Sequence, residues 1–174
     1  MGNKIKNKKI LITGGAGFIG TALSKKLIKD NFIILYDNLW RDALKYNNLV
    51  PKNHFKFIKG DILDFKFLTE IISKFRPDIV VHMAAIAGVD TVIKSPTKTM
   101  KVNMVGTYNL LEALHKLNLI RKIERLINFS TSEVFGINAF KVDEERVVNL
   151  QPVGEARWIV FSCHPRTENY LKKI

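Results

Sequence analysis

The segment Lys9-Ile10-Leu11-Ile12-Thr13-Gly14-Gly15-Ala16-Gly17-Phe18-Ile19-Gly20 constrains the fold of this chain more than any other. Its first five residues form a continuous apolar run ended by glycines, which reads as a short strand buried on both faces. From Phe18 the period changes: Phe18, Ile19, Ala22, Leu23, Leu27 and Ile28 follow helical spacing until Asp30-Asn31, and Phe32-Ile33-Ile34-Leu35-Tyr36 reads as a second buried strand. In a strand-to-helix connection of this kind Gly14 permits the tight turn, Gly17 keeps the backbone approachable, and Gly20 lets the helix lie close on the sheet.

The alternation continues through Phe55-Lys56-Phe57-Ile58, a helix near Asp64 to Phe75, the strand Asp78-Ile79-Val80-Val81-His82, a long helix over about Thr97 to Leu117, and a fifth strand Arg125-Leu126-Ile127-Asn128-Phe129. Parallel neighbours need long right-handed crossovers, so the pattern predicts an α/β fold, a Rossmann-like doubly wound parallel sheet. No repeat or linker divides residues 1–174, which are expected to form one domain, with 136–154 an irregular surface loop.

The helix that follows the glycine loop offers free N–H groups and the positive end of its dipole, a setting suited to a pyrophosphate. Gly14, Gly17, Phe18, Ile19 and Gly20 are therefore the candidate cradle for the phosphates of a dinucleotide. Asp37 closes the second strand, where a carboxylate accepts hydrogen bonds from the adenosine ribose and repels a 2′-phosphate, so NAD is expected in preference to NADP. Arg41 stands close enough in sequence to oppose that preference. Two plainer roles stay open: Asp37 as a cap over Asn38-Leu39, and the glycines as a bare tight connection.

A net charge of +12 raises the question of nucleic acid. The basic residues, however, alternate with apolar ones at helical spacing, as in Leu23-Ser24-Lys25-Lys26-Leu27-Ile28-Lys29, which describes a solvated helix face, and no nucleic-acid partner is expected. No apolar run approaches the roughly 20 residues of a membrane helix, and no membrane association is expected. The single cysteine, Cys163, excludes an internal disulfide and fits a reducing, cytoplasmic setting; no metal site is expected.

Five segments in order, Thr13 to Gly20, Asp37-Asn38-Leu39, Gly60-Asp61-Ile62, His82-Met83-Ala84-Ala85 and Ser130-Thr131-Ser132-Glu133-Val134-Phe135-Gly136, closely resemble the extended short-chain dehydrogenase/reductase family, specifically its NAD-dependent nucleotide-sugar epimerases, dehydratases and decarboxylases. The likeness runs from about Lys9 to Trp158. It implies that Asp37 and Asn38 belong to the cofactor site, that Asp61 and Ile62 lie beside the adenine, that the loop of Ala84, Ala85 and Ala87 passes the ribose and phosphates, and that Asn103 orders the site from the long helix. It implies catalytic roles for Thr131, bonded to a sugar hydroxyl or ketone, and for Ser132 and Glu133 in chemistry beyond oxidation. Ser132 stands where sugar 4,6-dehydratases usually carry Asp, and Thr131-Ser132-Glu133 with Arg157-Trp158 resembles UDP-glucuronate decarboxylases and related epimerases. The implied parent activity is 4-epimerisation of a UDP-sugar or decarboxylation of UDP-glucuronate through a 4-keto intermediate, in a homodimer built partly on the long helix. From the residues alone, Asp61 also suits a helix start, Asn103 a buried helix contact, Thr131 to Glu133 a capped turn, and His82 a non-catalytic place in the core.

The resemblance breaks in one window. A Tyr-x-x-x-Lys pair should occupy positions 160 and 164, which here are Val160 and His164, and Pro165 disfavours an uninterrupted helix there. Thr167-Glu168-Asn169-Tyr170-Leu171-Lys172-Lys173 resembles the family again, as though only Val160 to Arg166 had been replaced by a local coding or sequencing alteration. Measured against the family the chain is expected to be C-terminally truncated, without the substrate domain. The alternative reading is therefore a catalytically inactive NAD-binding fragment or regulatory module.

Overall fold

The computed structural model describes residues 5–46 and 52–130. In chain order the elements are β1 (Lys9–Thr13), α1 (Phe18–Leu27), β2 (Phe32–Asp37), β3 (Phe55–Lys59), α2 (Phe65–Phe75), β4 (Ile79–His82), α3 (Val89–Lys94), α4 (Pro96–Met100), a π-helical turn (Lys101–Val105), α5 (Gly106–Lys116) and β5 (Arg125–Asn128). They fall into two compact units: one runs through Ala84 and resumes over Gly106–Ile127, and the other holds Ala85–Val105 and the described residues from Asn128 on.

The first unit carries the sheet, in the order β3-β2-β1-β4-β5. β1 runs parallel to β2 and to β4, and β2 parallel to β3, with Thr13 opposite both Tyr36 and His82. Chain direction across the sheet reverses at β1, so the carboxyl ends of β1 and β4 mark the topological switch point, the place where such sheets generally take ligands. The apolar runs are buried on both faces, as a parallel sheet covered by helices requires. Ile10, Ile12, Ile33, Leu35, Ile79 and Val81 form one face, packed against Ile28, Leu23 and Leu27 at the end of α1. On the other face Tyr36 meets Phe67 and Phe32 stacks with Phe75, both from α2, which itself packs against α5.

α1 corrects one expectation. Phe18, Ile19 and Ala22, read as part of the buried stripe, are exposed, and the buried residues of the helix are Gly20, Thr21 and Ser24. Thr21 and Ser24 tolerate burial because their hydroxyls donate to the carbonyls of Gly17 and Gly20, each at 2.6 Å. Small residues bring the helix start so near the sheet that a Cβ on Gly20 would stand 2.7 Å from the Gly14 carbonyl oxygen.

In the second unit the expected long helix is corrected too. The chain passes from α4 through the π turn before α5 begins, and a separate short helix, α3, precedes them. The turn is held by Asn103, 1% exposed, whose amide accepts from the Ile86 N–H at 2.8 Å and donates to the Ile86 carbonyl at 3.1 Å. A single π turn is short against the window of roughly 11–18 residues over which helical periodicity is read, so periodicity does not register it.

Among the described residues no helix is long and apolar enough to cross a membrane, and no group of three or more His, Cys, Asp or Glu is placed to hold a metal ion.

Candidate functional site

At the carboxyl edge of the sheet the chain leaves β1 through Gly14, whose φ of +69° is the left-handed conformation that glycine adopts without penalty. The fit is tight on the far side: a Cβ there would lie 2.7 Å from the carbonyl carbon and oxygen of Met83 and 2.8 Å from the Ala84 nitrogen. Gly17 is the opposite case, since a Cβ on it would meet only the Gly14 carbonyl oxygen, at 3.2 Å, and otherwise open space. Gly17 is the N-cap of α1, no side chain caps the helix, and its first turn carries no acid. The leading N–H groups of α1 therefore have no capping side chain and no acid within their own turn, as an anion site requires.

Asp37 ties this loop to the end of β2. One carboxylate oxygen accepts from the Ala16 N–H at 3.0 Å and the other from the Leu39 N–H at 2.7 Å, so the local cap and the tether to the glycine loop are both real. Ala16, fully buried, is gripped from both sides because its carbonyl accepts from the Ala43 N–H at 2.8 Å. Partial burial pushes the Asp37 carboxyl above the usual aspartate range, the two backbone N–H bonds pull it back, and Asp42 nearby adds to the rise. Each oxygen keeps a lone pair, so the carboxylate can still accept from a pair of vicinal hydroxyls.

Beyond β3, Asp61 is exposed and accepts from the Leu63 N–H at 2.9 Å and from the Asn38 side-chain amide at 3.2 Å. It does not cap α2, a task that falls to Asp64, which accepts from the Phe67 N–H. Ile62 is buried, with its side chain against Gly106, so what it can offer a ligand is backbone. Beneath them Tyr36, 1% exposed, donates from its hydroxyl to the Asp61 carbonyl at 2.8 Å, and burial raises its pKa.

At the end of β4 His82, 4% exposed, lies between two hydroxyls: Nδ1 is 2.6 Å from Thr13 Oγ1 and Nε2 is 3.1 Å from Thr107 Oγ1. The Thr13 hydroxyl oxygen also accepts from the N–H groups of Met83 and Ala84, each at 3.3 Å, so its one hydrogen goes to Nδ1 and the ring proton sits on Nε2. Burial pushes the imidazole down to about 4, which keeps it neutral near pH 7.

The first unit thus brings together Gly14, Gly17, Phe18, Ile19, Gly20, Asp37, Asn38, Asp61, Ile62 and Ala84 at one edge of the sheet, with Phe18 84% and Ile19 55% exposed beside the open loop. Ala85 and Ala87, both exposed, flank buried Ile86 in the second unit, where Asn103 clasps that residue. Thr131, Ser132 and Glu133, the 136–154 loop, and Val160, His164 and Pro165 lie outside the described residues. Sequence reasoning missed Thr13, Tyr36 and Thr107 as parts of the framework; the signal for the first two was a hydroxyl at the end of an otherwise apolar buried strand.

A profile of the family described as GDP-mannose 4,6 dehydratase matches residues 11–153. This chain belongs to the extended short-chain dehydrogenase/reductase family of nucleotide-sugar epimerases and dehydratases. Among its relatives in the family, a dTDP-D-glucose 4,6-dehydratase of Dictyostelium discoideum is 42% identical over 164 residues, which are 91% of this chain and 37% of that protein. Among solved structures of the family, a UDP-N-acetylglucosamine 4-epimerase from Methanobrevibacter ruminantium M1, in complex with UDP-N-acetylmuramic acid, superposes with a TM-score of 0.80 at 27% identity over 97% of this chain and 52% of that one. The Bordetella bronchiseptica enzyme WbmH, in complex with NAD+, does so with a TM-score of 0.74 at 25% identity over 95% and 52%. The chain therefore spans about half or less of the length of these family members.

Proposed function

We propose that this chain binds NAD at the carboxyl edge of its sheet and derives from an enzyme that oxidises a UDP-sugar at C4, toward 4-epimerisation or decarboxylation of UDP-glucuronate. The observation that carries the reading is the bare N-terminus of α1 above Gly17, with the tethered carboxylate of Asp37 beside it. In this reading the first-turn N–H groups of α1 hold the pyrophosphate, Asp37 accepts from the adenosine ribose hydroxyls, and Asn38 steadies Asp61 where the adenine would rest. The relative solved with NAD+ supports the cofactor, and the relative solved with a UDP-sugar derivative supports the substrate class. A bound nicotinamide supplies reversible two-electron oxidation of a secondary alcohol. Around it Thr131 would hydrogen-bond the sugar oxygen, with Ser132 and Glu133 serving the later chemistry. Pairing of two copies through α5, whose Tyr108 ring is 61% exposed, belongs to the same reading.

A second reading, binding without turnover, is favoured by Val160 and His164 at the positions where a proton-transferring Tyr and its Lys are expected. Calorimetric titration with NAD and NADP, followed by assays with UDP-glucose and UDP-glucuronate, tests both. NAD should bind about tenfold or more tightly than NADP, because Asp37 opposes a 2′-phosphate. Absence of any NAD binding by the folded chain overturns the proposal, and binding with no product from either sugar selects the second reading.

A further inference from the structure

We propose that His82 is a positioning residue of this site: its imidazole, strung between Thr13 and Thr107, holds the Met83-Ala84 backbone at the depth where it supports the Gly14 turn. The proposal rests on the dinucleotide reading given above.

Hydrogen-bonding capacity is limiting at Thr13. Its Oγ1 has two lone pairs and one hydrogen, and the N–H groups of Met83 and Ala84 approach it at 3.3 Å each. Those long contacts are kept only while the hydroxyl hydrogen is directed the other way, which the bare Nδ1 of His82 ensures at 2.6 Å. Thr107 on α5 anchors the far side of the ring at 3.1 Å, so neither rotation nor a flip leaves both nitrogens satisfied. The strand-end main-chain bond from Met83 N–H to the Thr13 carbonyl, 3.0 Å, fixes register but not how closely residues 83 and 84 approach the turn.

That approach matters because there is no slack. The space of the missing Gly14 Cβ is already filled by Met83 and Ala84 backbone atoms within 2.8 Å, so a shift of a few tenths of an ångström in this segment is transmitted to Gly14. From Gly14 it passes on to Gly17, whose N–H donates to the Gly14 carbonyl at 3.1 Å, and so to the start of α1. Asp37 meets this path only at Ala16, 3.0 Å away, and is held from the other side by the shorter bond from Leu39 N–H at 2.7 Å. The pyrophosphate end of the site should therefore depend on His82 more strongly than the ribose end.

The experiment uses the 174-residue chain. NAD affinity is measured by calorimetry, adenosine affinity by ligand-observed NMR, and folding by thermal denaturation, for wild type, His82→Phe, His82→Asn, Thr107→Val and Thr107→Ser. His82→Phe keeps the ring volume and removes both nitrogens; NAD should bind about tenfold more weakly while adenosine changes less than about twofold. His82→Asn, whose amide oxygen replaces the Nδ1 acceptor, should recover most of the affinity. Thr107→Val should lose about threefold for NAD alone, and Thr107→Ser should restore it. Unchanged NAD affinity in the folded variants, or a parallel loss for NAD and adenosine, overturns the proposal and leaves His82 a packing residue. If His82→Phe does not fold, the Thr107 pair decides by the same criterion. If wild type binds no NAD, the functional reading itself falls and takes this one with it.

Discussion

Replacing Gly14 with alanine separates what this turn does for the fold from what its neighbour does for a ligand. The position has φ of +69°, and an L-residue held there is destabilised by about 1–2 kcal/mol. The new methyl would also stand 2.7 Å from two backbone atoms of Met83 and 2.8 Å from a third in Ala84, well inside the roughly 3.5 Å of a relaxed carbon contact, and overpacking of that kind adds about 1–3 kcal/mol. Alanine restricts the unfolded chain and returns about 0.4–1 kcal/mol. The net destabilisation is about 1–5 kcal/mol, a large share of the roughly 5–15 kcal/mol that holds an ordinary domain folded. In urea denaturation this should move the midpoint down by about 0.5–2.5 M at an m-value near 2 kcal/mol/M. Gly17→Ala is the internal control: its φ is −71° and its Cβ meets a single atom at 3.2 Å, so stability should hold within about 1 kcal/mol while NAD binding is lost, the methyl standing where the pyrophosphate would lie. A Gly14→Ala midpoint within about 0.2 M of wild type would refute the packing argument.

Further outcomes can be checked independently. His82 ionises near pH 6.5 when unfolded and near 4 in the fold, so the native state binds fewer protons between those values; stability should fall by about 3 kcal/mol as pH drops from 6.5 to 4, and His82→Asn should lose that part of the slope in pH-dependent urea melts. Asp37, with its pKa raised, protonates at a higher pH than an ordinary aspartate; NAD affinity by calorimetry should begin to fall on acidification while a free aspartate is still charged, and Asp37→Asn should flatten the profile. Asn103→Ala leaves both backbone groups of Ile86 without that amide, at about 2–4 kcal/mol; the Ile86 amide should exchange with solvent markedly faster by NMR hydrogen exchange, and unchanged protection would rule out the clasp.

Residues whose meaning is local are legible in the amino-acid sequence. Gly14 and Gly20 read correctly because a tight turn and a close helix each demand the absence of a side chain, a demand written at single positions. The central strands β1, β2 and β4 read correctly because burial on both faces leaves no polar alternation to confuse them. Asp37 is placed by its position at a strand end, and the structure adds that it serves the Leu39 cap and the Ala16 tether together.

Legible in the residues alone, then, are the alternation of strand and helix, the parallel sheet that alternation compels, and the edge at which the glycine turn must sit. Tertiary structure alone decided that α1 turns Phe18 and Ile19 outward and buries Thr21 and Ser24, that a π turn interrupts the expected long helix at Asn103, and that His82 bridges two hydroxyls behind the glycine turn. The physical reason is the same in each case: a periodic pattern reports how a segment averages over its own neighbours, whereas these features depend on which distant backbone or hydroxyl group arrives to satisfy a buried polar atom.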